Sequence, residues 1–114
     1  MLARPYRITK EEEFERVKKK GKAYNHPFFT FLVYNRRDKK PSRFGFVISK
    51  KISGLATARN KIKRALRDAI RRNLSQIKPG YDVVVLTKGE IARKYTSEIM
   101  QEVDAFLKHV SLTN

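Results

Sequence analysis

The sequence predicts a single α+β domain whose elements follow the order helix, strand, strand, helix, strand, helix. Three segments carry apolar residues at three- and four-residue steps, and three short runs are rich in aromatic and β-branched residues. The chain has 114 residues, of which 40% are hydrophobic, and this suits one domain with one core. Since repeats and low-complexity linkers are absent from the sequence, we expect one domain over residues 1–114, with its core between about Tyr6 and Val110.

The first predicted helix runs from Lys10 to Lys20. Thr9 and Glu12 have the spacing of a capping box, in which two side chains satisfy backbone N–H groups at the start of a helix. Three glutamates in the first turn and three lysines in the last suit the helix dipole, and Gly21 is the expected C-cap. The apolar stripe of this helix consists of Phe14 and Val17.

Two strands are predicted next, in FFTFLVYN after Pro27 and in RFGFVIS from Arg43 to Ser49, and we expect them to be antiparallel strands joined by a charged loop. Strand alternation gives the first run two faces, one with Phe29, Phe31 and Val33, the other with Phe28, Thr30, Leu32 and Tyr34. In the second run, one face carries Phe44, Phe46 and Ile48. Gly45 lies on the opposite face, where it lets another group approach the backbone closely.

The third strand, from Tyr81 to Thr87, is apolar on both faces, which predicts a central position in the sheet. Thr96 is the expected cap of the final helix. The apolar side of that helix contains Ile99, Met100, Val103, Phe106, Leu107 and Val110. The second strand, the helix after it and the third strand form a β-α-β segment. If its strands are parallel, general frequencies favour a right-handed crossover.

The helix between these strands, ARNKIKRALRDAIRRN from Ala58 to Asn73, is strongly basic, and Thr57 is its expected N-cap. Its apolar residues recur at helical spacing: Ile62, Ala65, Leu66, Ala69 and Ile70. On the opposite side, at about 100° per residue, lie Asn60, Lys63, Arg64, Arg67 and Arg71. A solvated surface helix is the alternative, but such helices usually alternate acidic and basic residues. Here only Asp68 opposes seven basic residues, which favours a polyanion partner.

The whole chain has 27 Lys and Arg against 11 Asp and Glu, a formal net charge of +16 and a pI near 10.4. Such a balance is typical of nucleic-acid binders, and an anionic membrane surface is the rival polyanion. No apolar run approaches the roughly 18–20 residues that span a bilayer, and the N-terminus lacks the apolar region of a signal peptide. The chain has no cysteine, which excludes disulfides and cysteine-based zinc sites. We therefore expect a cytoplasmic location and no membrane partner.

The sequence offers little catalytic chemistry. His26 and His109 could serve a nuclease as acid and base, but nothing in the sequence brings them together, and we interpret them as isolated surface histidines. No pair of acids forms a metal site, and Asp68 is only a weak candidate. A glycine-rich phosphate loop is also missing. We expect no small-molecule substrate. Aromatic residues Phe14, Phe28 and Tyr34 either stack on unpaired bases or pack against the first helix; both interpretations stay open.

Several segments together resemble one family, the protein subunit of bacterial ribonuclease P. The basic helix matches its R-N-[RK]-x-K-R-x-x-R signature at Arg59, Asn60, Lys61, Lys63, Arg64 and Arg67. The run RFGFVISKK, from Arg43 to Lys51, is similar to the family's R-x-G-x-x-V-[SA]-K-K strand. The opening RITKEEEFERVKKKG resembles its first helix, and GYDVVVLTK its last strand. The resemblance covers roughly Tyr6 to Val110.

This resemblance implies an α-β-β-β-α-β-α sandwich with a left-handed β-α-β crossover, a fold shared with a domain of a ribosomal protein. It replaces the right-handed expectation and adds a short strand near Lys22 to Asn25. It also implies a subunit of an endoribonuclease in which a catalytic RNA, with Mg²⁺ held mainly by RNA and substrate, removes the 5′ leader of precursor tRNA. The protein would bind both RNAs without being catalytic. A general RNA-binding protein without a dedicated ribozyme is the alternative.

The resemblance also implies two groups of site residues. The surface for the catalytic RNA would contain Arg59, Asn60, Lys61, Lys63, Arg64, Arg67, Arg71, Lys50 and Lys51. The cleft for the 5′ leader would contain Phe14, Lys18, Phe28, Thr30, Leu32 and Tyr34. At two of these positions the chain departs from the family: Lys18 stands where many relatives carry an aromatic residue, and Leu32 where some carry tyrosine. We expect Phe28 and Tyr34, on the same strand face as Leu32, to compensate.

Overall fold

Three helices and one four-stranded sheet make up the computed structural model, which describes residues 2–50, 52 and 56–113. The helices are α1 (Glu11–Lys20), α2 (Ala56–Asn73) and α3 (Thr96–His109). The strands are β1 (Lys22–Asn25), β2 (Phe29–Asn35), β3 (Arg43–Val47) and β4 (Tyr81–Thr87). This confirms the α+β class and also β1, which only the resemblance had implied. Within the described residues no helix is both long enough and apolar enough to cross a bilayer.

The strands lie in the order β1-β2-β4-β3. The last strand of the chain is therefore central, as its two apolar faces predicted: β4 pairs antiparallel with β2 and parallel with β3. The expectation that β2 and β3 form an antiparallel pair is wrong in one respect. They run in opposite directions, but β4 separates them, because burying both of its faces and both of its edges requires a neighbour on each side.

The two faces of the sheet carry separate apolar clusters. On one face, the main cluster packs Phe29, Phe31 and Phe44 with the β4 residues Val83 and Val85 and with the apolar sides of α2 and α3. On the other face, a smaller cluster consists of Ile8, Phe14, Val17, Leu32, Tyr34, Val84 and Leu86. Alternate residues of each strand point to opposite faces, so α1 covers one side of the sheet and the helix pair α2 and α3 covers the other.

The helix boundaries differ by one or two residues from the predicted ones. Helix α1 begins after Lys10, whose backbone N–H donates to Glu13 Oε1 at 3.1 Å, so Glu13 rather than Glu12 caps this end. Helix α2 begins at Ala56, which places Thr57 inside the helix instead of at its cap. Helix α3 begins at Thr96, and Tyr95 occupies the N-cap position. Local capping patterns tolerate such shifts because neighbouring polar residues compete for the same backbone groups.

Candidate nucleic-acid interface

Helix α2 presents its basic residues away from the core. Its buried residues are Ile62, Ala65, Leu66, Ala69 and Ile70, the apolar row that the sequence predicted. On the opposite side Asn60, Lys61, Arg64 and Arg71 are exposed, while Lys63 and Arg67 are half-buried. The face is held in this orientation by the packing of α2 on α3 and by an ion pair between Arg72 and Asp104. The predicted residues of α2 thus form one continuous basic surface.

Two members of the predicted RNA surface also contact the protein. The guanidinium of Arg59 is half-buried and donates a long hydrogen bond of 3.5 Å to the backbone oxygen of Ile48. Arg71 forms an ion pair of 3.3 Å with Asp68. Lys50 is exposed in the connection before α2. Lys51 lies outside the described residues.

A small cavity of about 180 Å³, here called the helix cleft, lies at the β3 edge of the sheet, where side chains of α1 and α2 both reach it. The ring of Phe14 forms one wall, and Lys63 and Arg67 of α2 form the opposite one. Gly45 of β3 lies at the floor. The N-terminal segment adds Arg7, which forms an isolated parallel β-bridge with Phe44 of β3. The helix cleft therefore joins an aromatic ring to cations from a helix more than forty residues away in sequence.

Of the residues predicted for the leader cleft, Phe14 lines the helix cleft. Leu32 and Tyr34 lie in the smaller cluster beneath α1, so packing against the first helix accounts for both of them. The Thr30 hydroxyl donates to Asn25 Oδ1 at 2.9 Å, which ties β2 to β1.

Lys18 is exposed on α1, and its ammonium lies 3.8 Å from the Glu15 carboxylate. It does not line the helix cleft, whose described walls come from the N-terminal segment, Phe14, β3 and α2. The structure therefore brings one of the six predicted residues to this cavity and places the other five elsewhere.

The placement predicted for Phe28 is wrong. Phe28 precedes β2, so strand alternation does not apply to it, and its ring packs against the main cluster on the other side of the sheet. The Lys94 ammonium lies 5.1 Å from the centre of the ring. Phe28 therefore does not share a face with Leu32 and cannot compensate for it.

His26 is also not the isolated surface residue that we expected. Its side chain is only 13% exposed, and its Nε2 lies 3.0 Å from a Glu102 oxygen of α3. Its Nδ1 accepts the backbone N–H of Phe28, and its ring stacks on Phe29 at 4.4 Å. His26 thus fastens the connection before β2 to α3, which is a structural role that depends on a partner 76 residues away.

A buried carboxylate, Asp82 of β4, was missed by the sequence analysis. It is fully buried and accepts hydrogen bonds from Arg36 at 2.5 Å and from Arg43 at 2.7 and 2.8 Å. Arg16 of α1 adds an ion pair of 3.5 Å, and Arg43 also pairs with Glu13. A buried charge requires such partners, so a lone acid in an apolar strand is the signal that could have revealed the network.

The ionisation of these groups follows from their contacts. Burial alone would raise the pKa of the Glu13 carboxyl, but hydrogen bonds from the Lys10 backbone and from Arg43 bring that pKa below its usual value. The hydrogen bond to Asp82 raises the pKa of Arg43 against the effect of burial. Both ions therefore stay charged near neutral pH.

The described acids show no arrangement suited to a metal ion. No group of three or more potential ligands occurs within residues 2–50, 52 and 56–113. Glu13, Asp82 and Asp68 each bind an arginine instead.

A larger cavity, here called the arginine pocket, opens beyond the Asp82 network and has a volume of about 600 Å³. Its basic lining residues are Arg4, Arg7, Arg16, Arg36, Lys40 and Arg43. The ring of Tyr34 also lines the cavity, with the Arg16 guanidinium carbon 5.4 Å from the ring centre. Asp38 is the acidic residue among its described lining residues. The basic surface of the protein therefore extends well beyond α2.

Comparison with known proteins agrees with these features. A family model described as Ribonuclease P matches residues 2–111. A ribonuclease P protein component from Cyanothece is 31% identical, over 98% of this chain and 97% of the relative. The structure of the Staphylococcus aureus protein is 32% identical with a TM-score of 0.87, over 96% and 98% of the two chains. The Thermotoga maritima protein is 30% identical with a TM-score of 0.79, over 90% and 96%. With its basic α2 on a matching fold, this chain belongs to the ribonuclease P protein family.

Proposed function

We propose that the protein binds the catalytic RNA of ribonuclease P through α2 and holds the 5′ leader of precursor tRNA in the helix cleft. The family supplies the protein component of an endoribonuclease that matures the 5′ ends of tRNA, and the chain is such a component. The finer assignment of the two RNAs to two surfaces rests on the geometry of this chain. We place its activity in the cytoplasm, with its precursor tRNA substrate.

The observation that carries the proposal is the division of α2 into a buried apolar row and an outward basic row. A basic row that is not neutralised by acids repels itself, and binding to a polyanion relieves this repulsion. Phosphate groups suit the arginines of the row, because a guanidinium donates two parallel hydrogen bonds to their oxygens. A folded RNA offers a dense array of such groups.

The helix cleft suits a single strand of variable sequence. Phe14 offers a ring on which a base can stack, a contact worth about 1–3 kcal/mol that tolerates any base. Lys63 and Arg67 on the opposite wall offer charge to the phosphates of the same strand. Because 5′ leaders differ in sequence, binding through stacking and charge is more useful there than readout of base edges.

In this proposal the protein positions RNA and takes no part in bond cleavage. Mg²⁺ supplies charge stabilisation and an activated water when it is held by the RNA subunit and the substrate. The carboxylates that flank the helix cleft and α2 are engaged by arginines, as described above. The chain therefore contributes binding energy for the substrate and neutralises phosphate charge that otherwise repels it from the catalytic RNA.

The test is cleavage of a precursor tRNA at low Mg²⁺ by a bacterial ribonuclease P RNA alone, by the RNA with this protein, and by the protein alone. We expect stimulation that needs both components. The variant R64Q should weaken stimulation, while the matched control R93Q, at an exposed arginine in the turn before α3, should retain it. A general RNA-binding protein would bind unrelated RNAs equally well at matched salt and would not stimulate cleavage. Cleavage by protein alone would contradict both interpretations.

A further inference from the structure

The arginine pocket and the helix cleft are neighbouring cavities that share part of their lining. Arg7 and Thr9 line both cavities, since the N-terminal segment runs alongside β3 between them. The backbone N–H of Ile8 donates to the Phe44 oxygen at 3.0 Å, which fixes this segment to the sheet. A strand that lies in the helix cleft would pass Arg7 and Thr9 to reach the arginine pocket.

The charges of the arginine pocket are not balanced by the protein. Asp82 forms ion pairs with Arg36 and Arg43, and Glu13 forms one with Arg43. Arg36 also pairs with Asp38 at 3.0 Å. Asp38 also accepts the backbone N–H of Lys40 at 3.0 Å, but among the described residues neither the Arg4 guanidinium nor the Lys40 ammonium forms an ion pair within 4 Å. The pocket consequently has excess positive charge at its open side.

Arg7 adds an observation that itself points to an anion. Its Nε is buried and has no hydrogen-bond acceptor among the described residues. Almost all buried hydrogen-bond donors in protein structures have an acceptor, so a buried donor without one needs an explanation. Because the Arg7 side chain lines both cavities, a phosphate bound there would lie beside its guanidinium, and charge-assisted hydrogen bonds to phosphate are among the strongest in proteins.

We propose that the arginine pocket binds a phosphate group of single-stranded RNA, in a strand that continues from the helix cleft. The inference rests on the proposed function, because it extends the same RNA strand beyond Phe14. Tyr34, whose ring packs beneath α1 and lies 5.4 Å from the Arg16 guanidinium carbon, forms part of the pocket wall. The group that binds is a phosphate, which either an RNA phosphodiester or free inorganic phosphate can supply. The experiment below distinguishes these two sources.

The test compares fluorescein-labelled oligouridylates of four and ten nucleotides across a series of salt concentrations. The variant R4Q/K40Q removes two charges that line only the arginine pocket, and R93Q/K108Q removes two exposed charges elsewhere. For the ten-nucleotide strand, R4Q/K40Q should make the log–log salt slope less steep by about 0.7 for each phosphate that the variant no longer neutralises. Binding of the four-nucleotide strand should be unchanged, as should both strands in the control variant.

An unchanged slope for the longer strand in R4Q/K40Q would overturn the proposal, and stimulated cleavage in the assay above would show that the proposed function still holds. Inorganic phosphate provides the second arm. If it raises the melting temperature of the wild type but not of R4Q/K40Q, while strand length has no effect, the pocket binds free phosphate and the RNA source is wrong. If the wild type neither binds the oligouridylates nor stimulates cleavage, both proposals fail.

Discussion

Gly45 of β3 lies directly beneath the ring of Phe14 in α1. A Cβ atom at position 45 would lie 2.5 Å from Phe14 Cε1 and 2.6 Å from Cζ. Only a glycine allows the ring to approach the sheet this closely, so a backbone position in a strand determines where the aromatic wall of the helix cleft lies.

The substitution G45A should therefore displace the Phe14 ring. Because the ring is packed between α1 and the sheet, we expect a loss of about 1–3 kcal/mol in the free energy of unfolding and weaker binding of a single-stranded leader. Urea denaturation and leader affinity measure the two effects. G89A is the matched control, since a Cβ at position 89 meets no atom within 4 Å. Equal behaviour of the two variants would show that the contact does not constrain the ring.

Leader binding should depend steeply on salt. If about six phosphates of a single strand are neutralised, the log–log slope of affinity against salt is about −4. The variant R67Q, on the wall of the helix cleft, should make that slope less steep by about 0.7, because it neutralises one phosphate fewer. Titration of a labelled leader at several salt concentrations measures it. A slope near zero in the wild type would mean that charge does not hold the leader.

Replacing the buried acid by D82N should destabilise the protein strongly. Arg36 and Arg43 would lose their charged partner in a buried position, and breaking such pairs costs about 3–5 kcal/mol. D68N should change stability by less than about 1 kcal/mol, because Asp68 pairs with Arg71 near the surface. Chemical denaturation of both variants gives the comparison. Similar losses in the two would contradict the assigned role of Asp82.

Stability should fall in acid through Glu13. Its pKa is lowered in the native state from a usual value of 4.5, so its contribution is complete above that value and is lost as the pH falls through the native pKa. At pH 7, E13Q should be less stable than the wild type by about 1–3 kcal/mol, because the charged hydrogen bond to Arg43 is removed.

The difference between E13Q and the wild type should shrink as the pH falls below 4.5, since the protonated Glu13 then resembles glutamine. Urea denaturation at a series of pH values checks this. E90Q, at an exposed glutamate in the turn before α3, should show no such convergence. A difference between E13Q and the wild type that is independent of pH would mean that packing rather than charge connects Glu13 to Arg43.

The features that sequence analysis predicted well are those that depend on local periodicity. The buried row of α2 agrees residue by residue, because a helix in contact with a core must repeat its apolar residues every three or four positions. The central place of β4 followed from apolar residues on both faces. By contrast, β1 has only four residues, KAYN, with no such pattern, and only the family resemblance indicated it.

The candidate site was less predictable, because its geometry depends on contacts between distant residues. Asp82 meets Arg36 and Arg43 across 46 and 39 positions, and His26 meets Glu102 across 76. Strand periodicity also failed at Phe28, one residue before β2 begins. The position of Phe14 over Gly45 was foreseeable in part, since a glycine within a strand indicates a close approach without showing which group makes it.

The central position of β4 also determines when the protein can fold. As the chain is synthesised, β2 and β3 are complete well before residues 81–87 exist, and both must wait with an unpaired edge. Pairing across such sequence separations slows folding, because the intervening loop has to be ordered first. A nascent chain that stops before Tyr81 can retain the β1–β2 pair but has no centre around which the sheet can assemble. Helix α2, with its high positive charge, is thus made before the framework that orients it.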